Sequence, residues 1–330
     1  MMHQSRRAFV RSAGRIAAAG AIFLLLPERL IRAAIRRETY LERAVHAMGT
    51  TVSVSAFGAN RAQLLEATSA AFTELYRLER LLSVYDPSSD IGRLNSSAGQ
   101  REVRVHADTW ELLSRAKRYH AISGGAFDVT VEPLLERSGF RARKPVREQA
   151  DAPLTIGDHH LHILKNTAVG IDHSRVKVDT GGIAVGYAVD SMVDVLRSFD
   201  IRTALINHGG DVYAMGRPED TDGWEVVVPH PTDADEDLMS LFLVDRALST
   251  STNFRNTRET PGGRIGHIFD PATGENPAAY LSMSVMAASS CEADAMSTAI
   301  FVSEKTAIAR SHGCDYVACG PGERLTTSLR

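Results

Sequence analysis

Thr203-Ala204-Leu205-Ile206-Asn207-His208-Gly209-Gly210-Asp211-Val212-Tyr213-Ala214-Met215 is the stretch that decides the fold class. Two short apolar runs, Thr203 to Asn207 and Val212 to Met215, are separated by a few residues with a glycine pair. The pair suits a hairpin turn and equally a close approach of backbone to a ligand. The neighbourhood extends the pattern. Before it, Gly181-Gly182 breaks the chain and a helix runs to Phe199. Beyond it, strands are expected at Trp224 to Val228, Leu241 to Ala247 and Met283 to Ala287. Nearer the start, short strands fall at Thr50 to Phe57, Leu161 to Leu164, Val169 to Asp172 and Val176 to Asp179. Helices come in separate blocks. Asn60 to Ser83 carries Leu64, Leu65, Thr68, Ala71, Phe72, Leu75, Leu78 and Leu82 on one stripe. Asp108 to Ile122 stops at Gly124-Gly125. Two more run from Glu292 to Val302 and on to about His312, before a last strand at Tyr316 to Ala318. Hairpin-linked strands without regular βαβ alternation or a fixed-period repeat indicate an α+β domain of mixed, mainly antiparallel sheets with helices packed against them.

The composition fits a globular chain. Of 330 residues, 44% are hydrophobic and 23% charged, enough for a substantial core. The net charge of −3 excludes a general affinity for nucleic acid or anionic membrane, so any anionic ligand must be held locally. Cys291, Cys314 and Cys319 are an odd number without a CxxC pair and read as buried apolar residues. Residues 1–39 read as an address. Ser5-Arg6-Arg7-Ala8-Phe9-Val10-Arg11 precedes the apolar run Ile16 to Leu26, which is about half the roughly 20 residues needed to span a bilayer. Paired arginines with a short apolar core indicate a Tat-type signal, hence a periplasmic protein, with the mature end between about Ala34 and Tyr40. Membrane association then arises only through an uncleaved signal. Residues 40–330 read as one domain, with Arg137 to Pro153 as a surface excursion.

Four segments could do chemistry. In Cys291-Glu292-Ala293-Asp294-Ala295-Met296-Ser297-Thr298, Asp294 and Thr298 are four apart and share one helix face. A carboxylate and a hydroxyl suit a hard cation such as Mg²⁺, although acidic first turns also serve the helix dipole alone. Asp179-Thr180-Gly181-Gly182-Ile183-Ala184 opens a helix whose free N–H groups could cradle phosphate, or is simply a tight turn. Asn207 to Asp211 is the glycine turn already quoted. His267-Ile268-Phe269-Asp270-Pro271 places a histidine, a possible general base, at the end of a strand. His159, His160 and His162 read as a solvated edge rather than a transition-metal site. GxSxG, HExxH and CxxC motifs are absent from the sequence, which removes serine-hydrolase and zincin readings.

Taken in order, these segments resemble the ApbE family of FAD:protein FMN transferases. The resemblance rests on Met48-Gly49-Thr50, Leu82-Ser83-Val84-Tyr85, Gly125-Ala126-Phe127-Asp128-Val129-Thr130, Asp179 to Asp190, Asn207 to Asp211, Thr250-Ser251, His267 to Gly274, and Ala293-Asp294 to Thr298. It covers residues 40 to 320 and implies a single ApbE-like domain. It also implies FAD as substrate, with Mg²⁺ on its pyrophosphate held by Asp294, Thr298 and the carbonyl of Ala184. FAD contacts would fall at Met48, Tyr85, Ala126, Phe127, Asp128, Gly181, Tyr187 and Ile268, and His267 would be the base. The implied reaction joins FMN to a threonine or serine hydroxyl of an acceptor flavoprotein in a membrane or periplasmic redox system, and releases AMP. The alternatives are an FAD pyrophosphatase giving FMN and AMP, and a non-catalytic flavin-binding maturation protein. Two positions depart from the family. Val185 stands where many members have lysine, and Thr252-Asn253-Phe254 replaces the usual glycine and tyrosine, which is expected to narrow the space beside the flavin or change acceptor choice.

Overall fold

The computed structural model describes residues 39–140, 154–233, 235–260 and 263–329. The arginine-bearing address segment and most of the expected excursion at 137–153 lie outside these residues. In chain order the strands are β1 (Thr39–Ala47), β2 (Thr50–Gly58), β3 (Val103–Arg104), β4 (Leu161–Ile163), β5 (Ala168–Ile171), β6 (Thr203–His208), β7 (Asp211–Met215) and β8 (Trp224–Pro229). They continue as β9 (Asp237–Leu243), β10 (Arg246–Thr252), β11 (Thr257–Thr260), β12 (Gly263–Gly266), β13 (Ser282–Ala287), β14 (Asp315–Cys319) and β15 (Leu325–Thr327). The helices are α1 (Arg61–Leu82), α2 (Asp90–Ser96), α3 (Ala107–Ser123), α4 (Glu132–Arg137), α5 (Ala184–Ser198), α6 (Ser290–Ser303) and α7 (Ala307–Ser311).

The expected α+β architecture is what forms. One eight-stranded sheet, in the order β1-β2-β6-β7-β10-β13-β14-β15, is antiparallel at every pairing. Side chains alternate across it, so each strand feeds two cores. Val52, Val54 and Ala56 of β2 face a helical layer with Ala204 and Ile206 of β6, while Phe57 and Leu205 face the β8–β9 hairpin and Trp224. On the helical side α1 buries Leu64, Thr68, Ala71, Phe72, Leu75, Leu78 and Leu82 of the expected stripe, whereas Leu65, one position off that face, is exposed. Each such leucine or phenylalanine contributes about 1.5–3 kcal/mol on burial. Asn60 caps α1 by accepting from the Gln63 amide, and α3 ends where Gly124 takes a left-handed conformation. Among the described residues no helix is long and apolar enough to cross a membrane.

Several local expectations change. β1 was not foreseen: it is an edge strand that buries only Leu41 and Ala47, so its sequence hardly alternates. It starts at Thr39, one residue ahead of the expected mature domain. After the Asp86 to Ser89 turn comes α2, capped by the Ser89 hydroxyl on the Gly92 amide, a helix not named in the sequence reading. Val176 to Asp179 is not a strand but carries a single parallel bridge between Lys177 and Val131. Leu241 to Ala247 straddles a turn, because Asp245 adopts φ +49° and separates β9 from β10. Tyr316 to Ala318 is not the last strand, as β15 pairs onto it.

Candidate functional site

The turn into α5 is fixed from both sides. Asn95 of α2 grips Val178 through its amide, with Asn95 Nδ2 donating to the Val178 carbonyl (2.9 Å) and Val178 N donating to Asn95 Oδ1 (2.7 Å). Asp179 Oδ1 accepts from the Gly181 amide at 2.5 Å, and the Thr180 hydroxyl donates to the Leu82 carbonyl at the end of α1. Ile183 occupies the N-cap of α5 without any side-chain cap; the Ala184 amide donates back to the Thr180 carbonyl at 2.8 Å, which leaves the amides of Val185 and Gly186 without a backbone acceptor among the described residues. One of them is answered from α6: Gly186 N donates to Asp294 Oδ2 at 3.0 Å. One turn further along α6, Thr298 reaches the glycine pair. A methyl group built on Gly182 would stand 3.4 Å from Thr298 Oγ1 and 3.3 Å from the Phe127 ring. Asp294 and Thr298 therefore bracket the stretch 182–186, with Ala184 midway.

The closeness of α5 to α6 depends on Gly186, where a Cβ would meet the Ser290 carbonyl oxygen at 2.3 Å. Asp190 completes the junction by accepting from the Ser290 and Cys291 amides at 2.7 and 3.0 Å. From β10, the Ser251 hydroxyl bonds Thr298 Oγ1 at 3.1 Å and Ser297 Oγ at 2.8 Å. Two residues on, Asn253 Oδ1 accepts from the Ile268 amide (2.8 Å) while its Nδ2 donates to the Ile268 carbonyl (3.0 Å). Asn276 Nδ2 adds a second bond to that carbonyl at 2.7 Å. Half-buried His267 thus stands beside a rigidly held residue, its ring edge-on to Phe140 with centroids 6.4 Å apart. Of the expected residues, Gly181, Ala184, Asp294, Thr298 and Phe127 adjoin one another at the α5 turn, and Asn253, two residues past Ser251, ties Ile268 and its neighbour His267 to the end of β10.

The remaining expected contacts sit around this group in different states. Ala126 is half-buried beside buried Phe127, whose amide donates to Ser123 Oγ at 2.9 Å. Asp128 accepts from the Thr130 amide and hydroxyl at 2.7 and 2.6 Å, so its carboxylate is engaged in its own turn. Met48 has φ +48° in the β1–β2 turn, its amide donating to Glu79 of α1. Tyr85, 56% exposed, stands on the rim just past α1. Tyr187 is buried, and its hydroxyl donates to Asp108 Oδ1 at 2.9 Å, with the Arg115 guanidinium 5.4 Å above its ring.

Electrostatics single out a residue that sequence reading left unassigned. Burial drives the Asp294 carboxyl well above the usual carboxylate range, and the Asp211 charge adds to the rise. Asp211, at the start of β7, is itself pushed up to about 6 by burial, although the Ser249 hydroxyl and Thr250 amide donate to it and oppose the rise. Two neighbouring carboxyls with raised proton affinity fit a hard-cation site without its ion. The available signal was Asp211 itself, at the end of the glycine turn. Gly209 and Gly210 serve that turn, with φ of +63° and +117°. Among the described residues no three His, Cys, Asp or Glu side chains form a metal cage. An ion at Asp294, Thr298 and Ala184 would therefore meet one carboxylate and neutral oxygens, a donor set that fits Mg²⁺ completed by water and phosphate.

Elsewhere, His160 and His162 share Asp172 (2.6 and 2.9 Å) on the partly exposed β4 edge, and all three cysteines are buried and free. Thr252 does not crowd the site. It follows Ser251 on β10, so it faces the opposite side of the sheet, and its hydroxyl donates to the Leu281 carbonyl at 2.8 Å.

The comparisons agree with one another. The profile of the ApbE family matches residues 48–317. A Klebsiella pneumoniae protein named FAD:protein FMN transferase is 29% identical over 267 residues, covering 77% of this chain and 76% of that one. A Vibrio cholerae protein of the same name is 31% identical over 229 residues, covering 67% and 68%. The ApbE protein of Thermotoga maritima superposes with a TM-score of 0.79 at 28% identity, over 88% of this chain and 97% of that one. The apo flavinyl transferase ApbE of Pseudomonas stutzeri gives 0.75 at 26% identity, over 88% and 94%.

Proposed function

The chain belongs to the ApbE family, and from that premise we propose that it is an Mg²⁺-dependent FAD:protein FMN transferase. The observation that carries this reading is the bracketing of residues 182–186 by Asp294 and Thr298, with Asn253 holding Ile268 beside His267. Asp294, Thr298 and the Ala184 carbonyl would hold the ion, which supplies neutralisation of pyrophosphate charge. The positive end of the α5 dipole adds favourable potential at the same place, with the Val185 amide as its free donor among the described residues. Val185 offers no cation, so these groups supply that neutralisation here. Phosphoryl transfer needs positioning and charge neutralisation above all, and this site offers both.

In the step itself, the oxygen of an acceptor threonine or serine forms a bond to the FMN-side phosphorus. The bond from that phosphorus to the bridging oxygen breaks, and AMP leaves with the electron pair. His267 takes the hydroxyl proton. FMN remains joined to the acceptor by a phosphoester. The paired arginines Arg6 and Arg7 favour an acceptor reached on the periplasmic side, a flavoprotein of a membrane or periplasmic redox system.

The test is incubation of the protein with FAD, Mg²⁺ and candidate acceptors, followed by intact mass for FMN addition. His267→Ala should slow transfer by about 10²–10⁴ with FAD affinity little changed, and higher pH should partly restore the rate. Normal transfer by this variant at neutral pH would remove His267 as the base. Release of free FMN without labelled acceptor would assign the site to FAD hydrolysis.

A further inference from the structure

A cleft of about 370 Å³ opens between α2 and β3, lined among others by Pro87, Arg93, Ser96, Arg101, Glu102 and Arg104. Three guanidiniums face one carboxylate there, in a chain whose overall charge is −3. Arg93 is engaged, pairing with Asp90 and donating to the Arg104 carbonyl at 3.1 Å. Arg101 and Arg104 are exposed, and among the described residues their guanidiniums meet no acceptor. Arginine forks left free in a concave site are suited to carboxylate or phosphate.

The position of the cleft chooses between these. α2 presents Asn95 to Val178, at the entrance to the α5 turn. At about 100° per residue, Arg93 lies nearly opposite Asn95 on that helix, and Ser96 on its flank. The Arg93 side of the cleft is therefore set off from the Asn95–Val178 contact and the α5 turn by about one helix diameter, roughly 10 Å. A phosphate of FAD seated at α5 does not reach across it, whereas a polypeptide whose hydroxyl enters the site spans that distance in about three extended residues. Pro87 belongs to the same rim segment as Tyr85. An acidic segment would be repelled by the rest of this net-negative surface and attracted here.

We propose that the cleft lined by Arg93, Arg101 and Arg104 is a docking site for acidic side chains flanking the hydroxyl-bearing segment of the protein acceptor. This rests on the transferase reading, and the experiment separates the two. Fluorescein-labelled peptides carry one threonine flanked either by Asp and Glu or by Asn and Gln. Binding is followed by anisotropy, and FMN addition by mass.

The acidic peptide should bind wild-type protein about tenfold more tightly than its neutral twin, with the preference fading as salt rises. Arg101→Glu with Arg104→Glu should abolish it, while FAD affinity and thermal stability stay unchanged because neither side chain has a partner to lose. A preference that survives in the double variant, or is absent in the wild type, overturns the proposal. So does displacement of the peptide by AMP or inorganic phosphate at lower concentration than the unlabelled acidic peptide, which gives the cleft to a small anion. Failure of the transferase reading appears separately, as absence of FAD binding or of FMN transfer to any protein acceptor.

Discussion

Gly186→Ala tests the packing on which the site depends, because two physical effects predict opposite signs. Alanine in a helix interior is favoured over glycine by about 1 kcal/mol, so propensity alone predicts a more stable protein. The structure predicts the reverse. The new methyl would sit 2.3 Å from the Ser290 carbonyl oxygen, 2.6 Å from its carbon and 2.8 Å from Cys291 Cα, all backbone of the first turn of α6. No rotamer change relieves this, so α5 and α6 must part by about 1 Å, an overpacking cost of roughly 1–3 kcal/mol. Parting also stretches the Gly186–Asp294 bond and the two amide bonds to Asp190, each contributing about 1 kcal/mol. The net expectation is a loss of roughly 1–4 kcal/mol, a fall in Tm of about 3–12 °C. Melting should be scanned metal-free and again with Mg²⁺ and FAD. The ligand-induced rise should shrink as well, since Asp294 moves with α6. A raised Tm with an undiminished ligand-induced rise refutes the account of how these helices are joined.

Two further outcomes follow from the same residues. Asp294 and Asp211 have raised folded-state pKa values, so the unfolded chain ionises first. Metal-free stability should thus fall as pH rises from about 4 through 6. Asp294→Asn should flatten that slope, raise metal-free stability near neutrality and abolish both Mg²⁺ stabilisation and turnover; stabilisation by Mg²⁺ in the variant removes Asp294 as its ligand. For export, Arg6→Lys with Arg7→Lys should retain the protein in the cytoplasm, read by fractionation, and continued arrival in the periplasm would exclude the twin-arginine route.

The part of this molecule legible in its sequence is the part written locally. The α1 stripe, the β6–β7 glycine turn and the i, i+4 pair Asp294 and Thr298 depend on spacings of a few residues, and they form as read save for Leu65, which faces solvent. What spacing missed depends on partners far along the chain. β1 looks like a continuation of a leader because its inward face is nearly empty, and only pairing with β2 makes it a strand. Gly186 reads as an ordinary helix position, yet it lies against the Ser290 backbone and donates to the Asp294 carboxylate 108 positions away. Thr252 reads as an intrusion into the site until the register of β10 turns it to the other face. Asp211 gives the sharpest case. In sequence it is the polar residue that closes a turn, a role in which aspartate is commonplace. Its significance comes from burial next to Asp294, and burial is a property of the packed sheet and helix together. A second carboxyl there raises the proton affinity of the first, so an ion must displace protons to bind and its affinity rises with pH over the range where both carboxyls titrate.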